Sequence, residues 1–212
     1  MVSYGLALSA PGTLYSAYYG FGVRKSIDGG AIWTLMNAGL DLRVRYVAAD
    51  PVTADTIYAA TDGGIFKTVD GALNWAPAVT GLTTAYFGTL TTVSTSPTTL
   101  YAGSLGAGIF KSIDAAASWV SRNTGLVATR PQQMLASGGV LLATLENFGV
   151  SRKPLSGSTW TTSAEGLVFP QFYDLAAAPS NPLILFASAY GGFFKSSDGC
   201  LLYTSPSPRD RG

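Results

Sequence analysis

Apolar and polar residues alternate along this chain in runs of four to seven, each broken by Gly, Asp, Asn or Pro. Residues 43–49 form one such run, halted by Asp50-Pro51, and Ile57–Thr61 forms the next, before the turn Asp62-Gly63-Gly64. Residues 65–69 follow, and a fourth run at 74–79 surrounds Trp75. Short alternating runs separated by turn formers predict antiparallel hairpins rather than helices.

The four-run unit recurs. Trp33, Trp75, Trp119 and Trp160 are spaced 42, 44 and 41 residues apart. All five lysines, Lys25, Lys67, Lys111, Lys153 and Lys195, follow nearly the same period, and Gly-Leu closes units at Gly39, Gly81, Gly125 and Gly166. Four short strands per unit of about 40–45 residues is the blade of a β-propeller. The expected fold is all-β, with about five four-stranded antiparallel blades at 1–40, 41–82, 83–126, 127–167 and 168–199.

The turn between the third and fourth strands carries a motif. It reads Ser26-Ile27-Asp28-Gly29-Gly30-Ala31-Ile32-Trp33, then Thr68-Val69-Asp70-Gly71-Ala72-Leu73-Asn74-Trp75, then Ser112-Ile113-Asp114-Ala115-Ala116-Ala117-Ser118-Trp119. The fourth copy keeps Gly157, Thr159 and Trp160 but has Leu155 at the Asp position, and the fifth stops after Ser196-Ser197-Asp198-Gly199. These copies resemble the Asp-box of the BNR-repeat propellers. In that family the box is structural: its Asp accepts backbone N–H groups and its Trp fills space between blades. The resemblance extends to sialidases, sortilin-type receptors, xyloglucanase-type hydrolases and photosystem II assembly factors, so it implies a fold and no one activity. It also implies an exported or cell-surface bacterial protein.

Composition narrows the classes. Charged residues are only 12% of the chain and the net charge is +1, without the basic patch of a nucleic-acid binder. Histidine is absent, which removes Ser-His and Cys-His catalysis and imidazole metal sites. No cofactor, metal or transmembrane segment is expected, and the first residues lack a signal-peptide pattern. Residues 200–210, from Cys200 to Asp210, interrupt the fifth box and resemble the translation of a transposase-type sequencing adapter. The expectation is a non-native tail at 200–212 on a propeller fragment.

Propeller topology sorts the remaining polar residues. Asp28, Asp70, Asp114, Asp198, Asp50 and Asp55 fall on the face where turn making explains them. Asp41, Asp62, Glu146, Glu165 and Asp174 fall on the opposite, top face. Tyr19, Arg43, Arg45, Tyr86, Gln133, Phe148, Phe172, Tyr173 and Tyr190 gather there too, and rings beside amides and guanidinium groups suit a protein or carbohydrate ligand. The expected function is a non-catalytic binding or assembly scaffold, with no catalytic residue. The alternative is a glycoside hydrolase of the xyloglucanase type, which needs two carboxylates flanking the bond, drawn from Glu146, Asp174 and Asp62.

Overall fold

A computed structural model describes residues 3–162, 172–178, 180–190, 192–197 and 203–204, with side chains from residue 5 to residue 197 within those ranges. The chain forms two compact units, Met1–Arg122 and Asn123–Gly212. All described regular structure is β, in five four-stranded antiparallel sheets with strands in sequence order, the blades of a β-propeller.

The first unit holds three blades. Blade one is Ser3–Ala10 (β1), Thr13–Tyr18 (β2), Gly22–Ser26 (β3) and Thr34–Leu35 (β4). Blade two is Val44–Ala49 (β5), Ile57–Thr61 (β6), Gly64–Thr68 (β7) and Ala76–Pro77 (β8). Blade three is Phe87–Val93 (β9), Thr99–Ser104 (β10), Ile109–Ser112 (β11) and Val120–Ser121 (β12). In the second unit, blade four is Pro131–Ser137 (β13), Val140–Leu145 (β14), Gly149–Pro154 (β15) and Thr161–Thr162 (β16). Blade five is Phe172–Ala178 (β17), Asn181–Ala189 (β18), Gly192–Ser196 (β19) and Tyr203–Thr204 (β20). Each fourth strand is only two residues long, shorter than the alternating pattern suggests, because the preceding turn takes Asn74 and Trp75 and their equivalents. Tyr203–Thr204 pairs with Lys195 and Phe194 through the backbone. Such pairing makes little demand on side-chain identity.

Within each unit, a blade packs its forward face on the backward face of the blade that follows it. Tyr15, Ala17 and Val23 on the forward face of blade one share a core with Val47, Ile57, Ala59 and Trp75 of blade two. Tyr58, Ala60 and Ile65 of blade two repeat this against Leu90, Leu100, Ala102 and Trp119 of blade three. In the second unit, Leu142 and Val150 pack on Leu175, Leu185 and Ala187. The alternation of period two puts one apolar set on each face, and neighbouring blades bury both.

The turn before each Trp is closed by its own side chains. Ser26 Oγ donates to Asp28 Oδ1 (2.7 Å) and accepts from Gly30 N–H (2.9 Å), while Asp28 accepts from Ile32 N–H. Thr68 and Asp70 make the same bonds to Ala72 and Asn74, and Ser112 and Asp114 to Ala116 and Ser118. Asn74 N–H, the Thr68 hydroxyl and the Asn74 amide together hold the Asp70 carboxyl down at about 2. Ser196 is buried at the matching place in blade five, and Asp198 and Gly199 lie outside the described residues.

The closing glycines answer to the next Trp. Gly39, Gly81 and Gly125 have φ of +80°, +87° and +80°, and a Cβ at each would fall within 2.5 Å of the carbonyl oxygen of Trp75, Trp119 or Trp160. Trp75 and Trp119 also donate their indole N–H groups back to Met36 and Ala78 in the preceding blade. Trp33 instead donates within its own turn, to the Gly30 carbonyl.

The first three lysines do not project freely into solvent. Lys25, Lys67 and Lys111 are half-buried, with Nζ 5.4, 5.7 and 5.4 Å from the ring centroids of Tyr15, Tyr58 and Tyr101. Lys25 and Lys67 reach across to the next blade's turn, donating to the carbonyls of Gly71 and Ala115. Lys153 breaks the series. It pairs with Leu141 as Ser112 pairs with Leu100, so it stands at the hydroxyl position of the turn and Arg152 takes the lysine position. Lys153 is 1% exposed, and its ammonium donates to the Pro154 and Gly157 carbonyls. With Leu155 replacing the Asp, a donor to carbonyls has replaced the paired hydroxyl and carboxylate.

Candidate functional site

The ends of the blades at the turns between second and third strands share one backbone device. Each first strand opens with a β-bulge, at Tyr4, Arg45, Gly88, Gln132 and Tyr173. An extra residue in one strand re-aims a side chain and interrupts pairing. The bulge leaves its mark in the sequence as apolar residues three apart within a strand: Val44 and Val47, Phe87 and Leu90, Pro131 and Met134, Phe172 and Leu175. Strict alternation does not anticipate that irregularity.

Opposite each bulge stands the first residue after the second strand, which is Asp62 in blade two, Leu105 in blade three and Glu146 in blade four. Their N–H groups donate to the carbonyls of Arg43, Tyr86 and Arg130, the residues just before the first strands. The backbone is thus held constant while the chemistry changes from blade to blade.

In the first unit, the pair Arg45 and Asp62 is a salt bridge. Arg45 Nε lies 2.6 Å from Asp62 Oδ1 and Nη2 lies 3.3 Å from Oδ2. Tyr19, from blade one, donates its hydroxyl to Asp62 Oδ2 (2.6 Å), and the Arg45 guanidinium lies over its ring at 4.6 Å. The Asp62 side chain is only 5% exposed. Burial by itself would raise its carboxyl, but the bonds from Arg45 and Tyr19 outweigh that and hold it below the ordinary carboxylate range. The same bond to Asp62 pushes the Tyr19 hydroxyl up. Alongside, Arg43 pairs with Asp41 at 3.4 Å, its own side chain 55% exposed. In blade three the equivalent positions carry Gly88 against Leu105, with Tyr86 exposed beside them.

In the second unit, Gln132, Leu145, Glu146, Phe172 and Tyr173 line a pocket of about 210 Å³. Arg130 pairs with Glu146 at 2.9 Å. Gln133 donates to Asp174 Oδ1 (2.8 Å), which also accepts Leu175 N–H. The two carboxylates are therefore engaged by different partners, Arg130 and Gln133. Tyr173, Tyr190 and Phe148 are exposed, whereas Phe172 is 4% exposed and packs on Phe194 with centroids 5.7 Å apart. Phe172 is a core residue that forms only the wall of the pocket. Gln132, at the bulge of blade four, also lines it. Glu165 lies outside the described residues. Among the described residues no group of three or more His, Cys, Asp or Glu is placed to hold a metal ion, and no helix is long and apolar enough to cross a membrane.

No family model matches the chain, and no curated protein matches it. Solved structures do. A GH74 enzyme of Niastella koreensis superposes with a TM-score of 0.73 at 21% identity, over 93% of this chain and 37% of that one. YCF48 bound to D1 peptide gives 0.74 at 14% identity, over 99% of this chain and 70% of that one. The extracellular domain of a putative one component system from B. thetaiotaomicron gives 0.70 at 16%, over 99% and 30%. At these identities the likeness is one of fold, the β-propeller. The chain spans little more than a third of the GH74 enzyme. Its structural neighbours thus include enzymes, a peptide-bound protein and extracellular domains of putative one- and two-component systems.

Proposed function

We propose that this chain is a non-catalytic binding or assembly scaffold, built on an Asp-box type of propeller and presenting its bulged face to a protein or carbohydrate ligand outside a bacterial cell. The observation that carries the reading is the Asp62 cluster. A general acid must keep its proton near neutral pH, and Asp62 is instead held ionised by Arg45 and Tyr19. Glu146 pairs with Arg130 at 2.9 Å. A constant backbone with blade-specific side chains suits recognition, in which exposed rings stack and ion-paired groups orient a ligand. Tyr19, Tyr86, Arg43 and Arg45 would serve in the first unit, and Gln133, Phe148, Tyr173 and Tyr190 in the second. The extracellular domains among the structural neighbours favour an exported protein.

The test presents the folded chain with xyloglucan and β-glucan oligosaccharides and with an immobilised random peptide array. Binding without release of reducing sugar is expected, weakened at least about fivefold by Tyr86→Ala or Arg43→Ala with melting unchanged. Release of reducing sugar that is lost in both Glu146→Gln and Asp174→Asn, with the fold intact, would replace this reading with the hydrolase. No binding to either probe class would also overturn it.

A further inference from the structure

The turn of blade one departs from its repeat at the residue before the Trp. In blades two and three that residue closes the turn with its side chain: Asn74 Nδ2 donates to Asp70 Oδ2 at 2.9 Å, and Ser118 Oγ donates to Asp114 Oδ2. Blade one has Ile32 there, whose side chain has nothing to donate. The Ser26 hydroxyl and the Ile32 N–H still reach Asp28 Oδ1, but among the described residues no side chain donates to Oδ2. Those bonds, Ser26 foremost, hold the Asp28 carboxyl below the ordinary carboxylate range, so it is charged at neutral pH. The turn forgoes a hydrogen bond and leaves a carboxylate oxygen open.

Ile32 gains no burial in return, being 70% exposed. Exposure belongs to the position, because Asn74 is exposed in blade two, which packs on a neighbour at each side. Ile27, between the Ser and the Asp, is likewise exposed, as Val69 and Ile113 are. An isoleucine in water adds nothing to the core and the missing bond weakens the turn, so folding accounts for neither. The two isoleucines instead wall a groove of about 540 Å³ together with Met36, Thr34, Asp28 and Lys25. The matching groove of blade two, about 470 Å³, has Ala76 and Ala78 in place of Thr34 and Met36, and Asn74 closes its carboxylate.

We propose that the groove of blade one takes a peptide segment of a partner protein in which a lysine stands beside an aliphatic residue. The aliphatic side chain lies against Ile27, Ile32 and Met36, and the lysine ammonium pairs with Asp28 Oδ2. Lys25 spends one ammonium hydrogen on the Gly71 carbonyl, and a further one is available to a carbonyl of the bound peptide. An apolar wall, an anion and a donor side by side match a basic peptide, whereas a simple amine has no carbonyl for Lys25 and a sugar no cation for Asp28. The volume is in the range of ligand pockets. This groove lies beyond the Ser26 end of β3, away from the bulges, so it stands apart from the reading above.

Titration of the methyl-labelled chain with the peptide acetyl-Ala-Leu-Lys-Leu-Ala-amide, followed by NMR up to about 10 mM, tests this. Saturable shifts are expected at the Ile27, Ile32 and Met36 methyls. Norleucine in place of the peptide's lysine should weaken binding at least about threefold, the scale of one exposed ion pair. Ile32→Asn, which rebuilds the arrangement of blade two, should weaken binding at least about fivefold while melting no lower than the wild-type chain. Absence of saturable shifts at those methyls, a norleucine peptide that binds equally well, or an Ile32→Asn variant that binds as before or melts lower would each overturn the proposal. Shifts confined to Leu105, at the bulged face, would overturn it and leave the reading above standing.

Discussion

The Lys25 ammonium donates to the carbonyl of Gly71, 3.1 Å away and 46 residues further along the chain. Lys67 repeats the bond to Ala115 at 2.9 Å. A side chain from one blade thereby satisfies a carbonyl in the turn of the next, so the turn is held from both sides. Propeller stability in the first unit then rests on ties between blades as well as on their shared apolar faces.

Removing one tie should be measurable. Lys67→Met keeps the aliphatic stem over Tyr58 and loses only the donor. We expect a loss on the order of 1 kcal/mol in urea unfolding, at the low end for a bond to a charged donor because the site is half open to water. No change would mean that water replaces the ammonium at no cost.

Blade four offers a sharper case. Lys153→Ser deprives two carbonyls of a buried donor and should cost roughly 2–3 kcal/mol. Adding Leu155→Asp restores the hydroxyl and carboxylate pair seen in blades one to three, and should recover most of that loss. Equal stability of the single and double variants would separate Lys153 from the turn.

Glycine positions divide by what faces them. Gly81→Ala places a methyl against the Trp119 carbonyl, at a φ of +87°, and should cost well over the roughly 1–2 kcal/mol of a left-handed alanine. Gly29, at φ +74° with nothing within 4 Å, should lose only that smaller amount. Thermal unfolding of the two variants side by side decides it.

Acid should unfold the chain through its turn carboxylates. Asp70 is held at about 2 in the folded state, against an ordinary value near 4 when unfolded. A depressed folded value gives stability that is complete above pH 4 and is lost as pH falls from about 4 toward 2. Burial alone would raise Asp50, but bonds from Tyr58, Thr53, Thr98 and Val52 leave it lowered, so it acts in the same direction. Melting temperature recorded from pH 6 to pH 2 should therefore fall most steeply below pH 4. In Asn74→Ala, which removes one side-chain donor to Asp70, the Asp70 titration followed by NMR should move upward.

Local pattern alone was enough for the number and order of the strands and for the turns, though not for the bulges or the length of each fourth strand. Alternation, turn formers and a hydroxyl two residues before a carboxylate act within a few residues of one another, so their consequences are written in short stretches. That is why the five blades, and backbone N–H groups bonded to Asp28, Asp70 and Asp114, could be read directly. Period misled at Lys153, where the 42-residue spacing from Lys111 hides a one-residue slip that only strand register reveals. The inward ties of Lys25 and Lys67, and the meeting of Tyr19, Arg45 and Asp62, were decided by tertiary packing. Each joins residues some 40 positions apart, at a geometry that exists only once one blade has packed against the next. Phe172 shows the same limit, since an aromatic ring at a blade end has identical chemistry in a ligand groove and in a core, and only burial tells them apart.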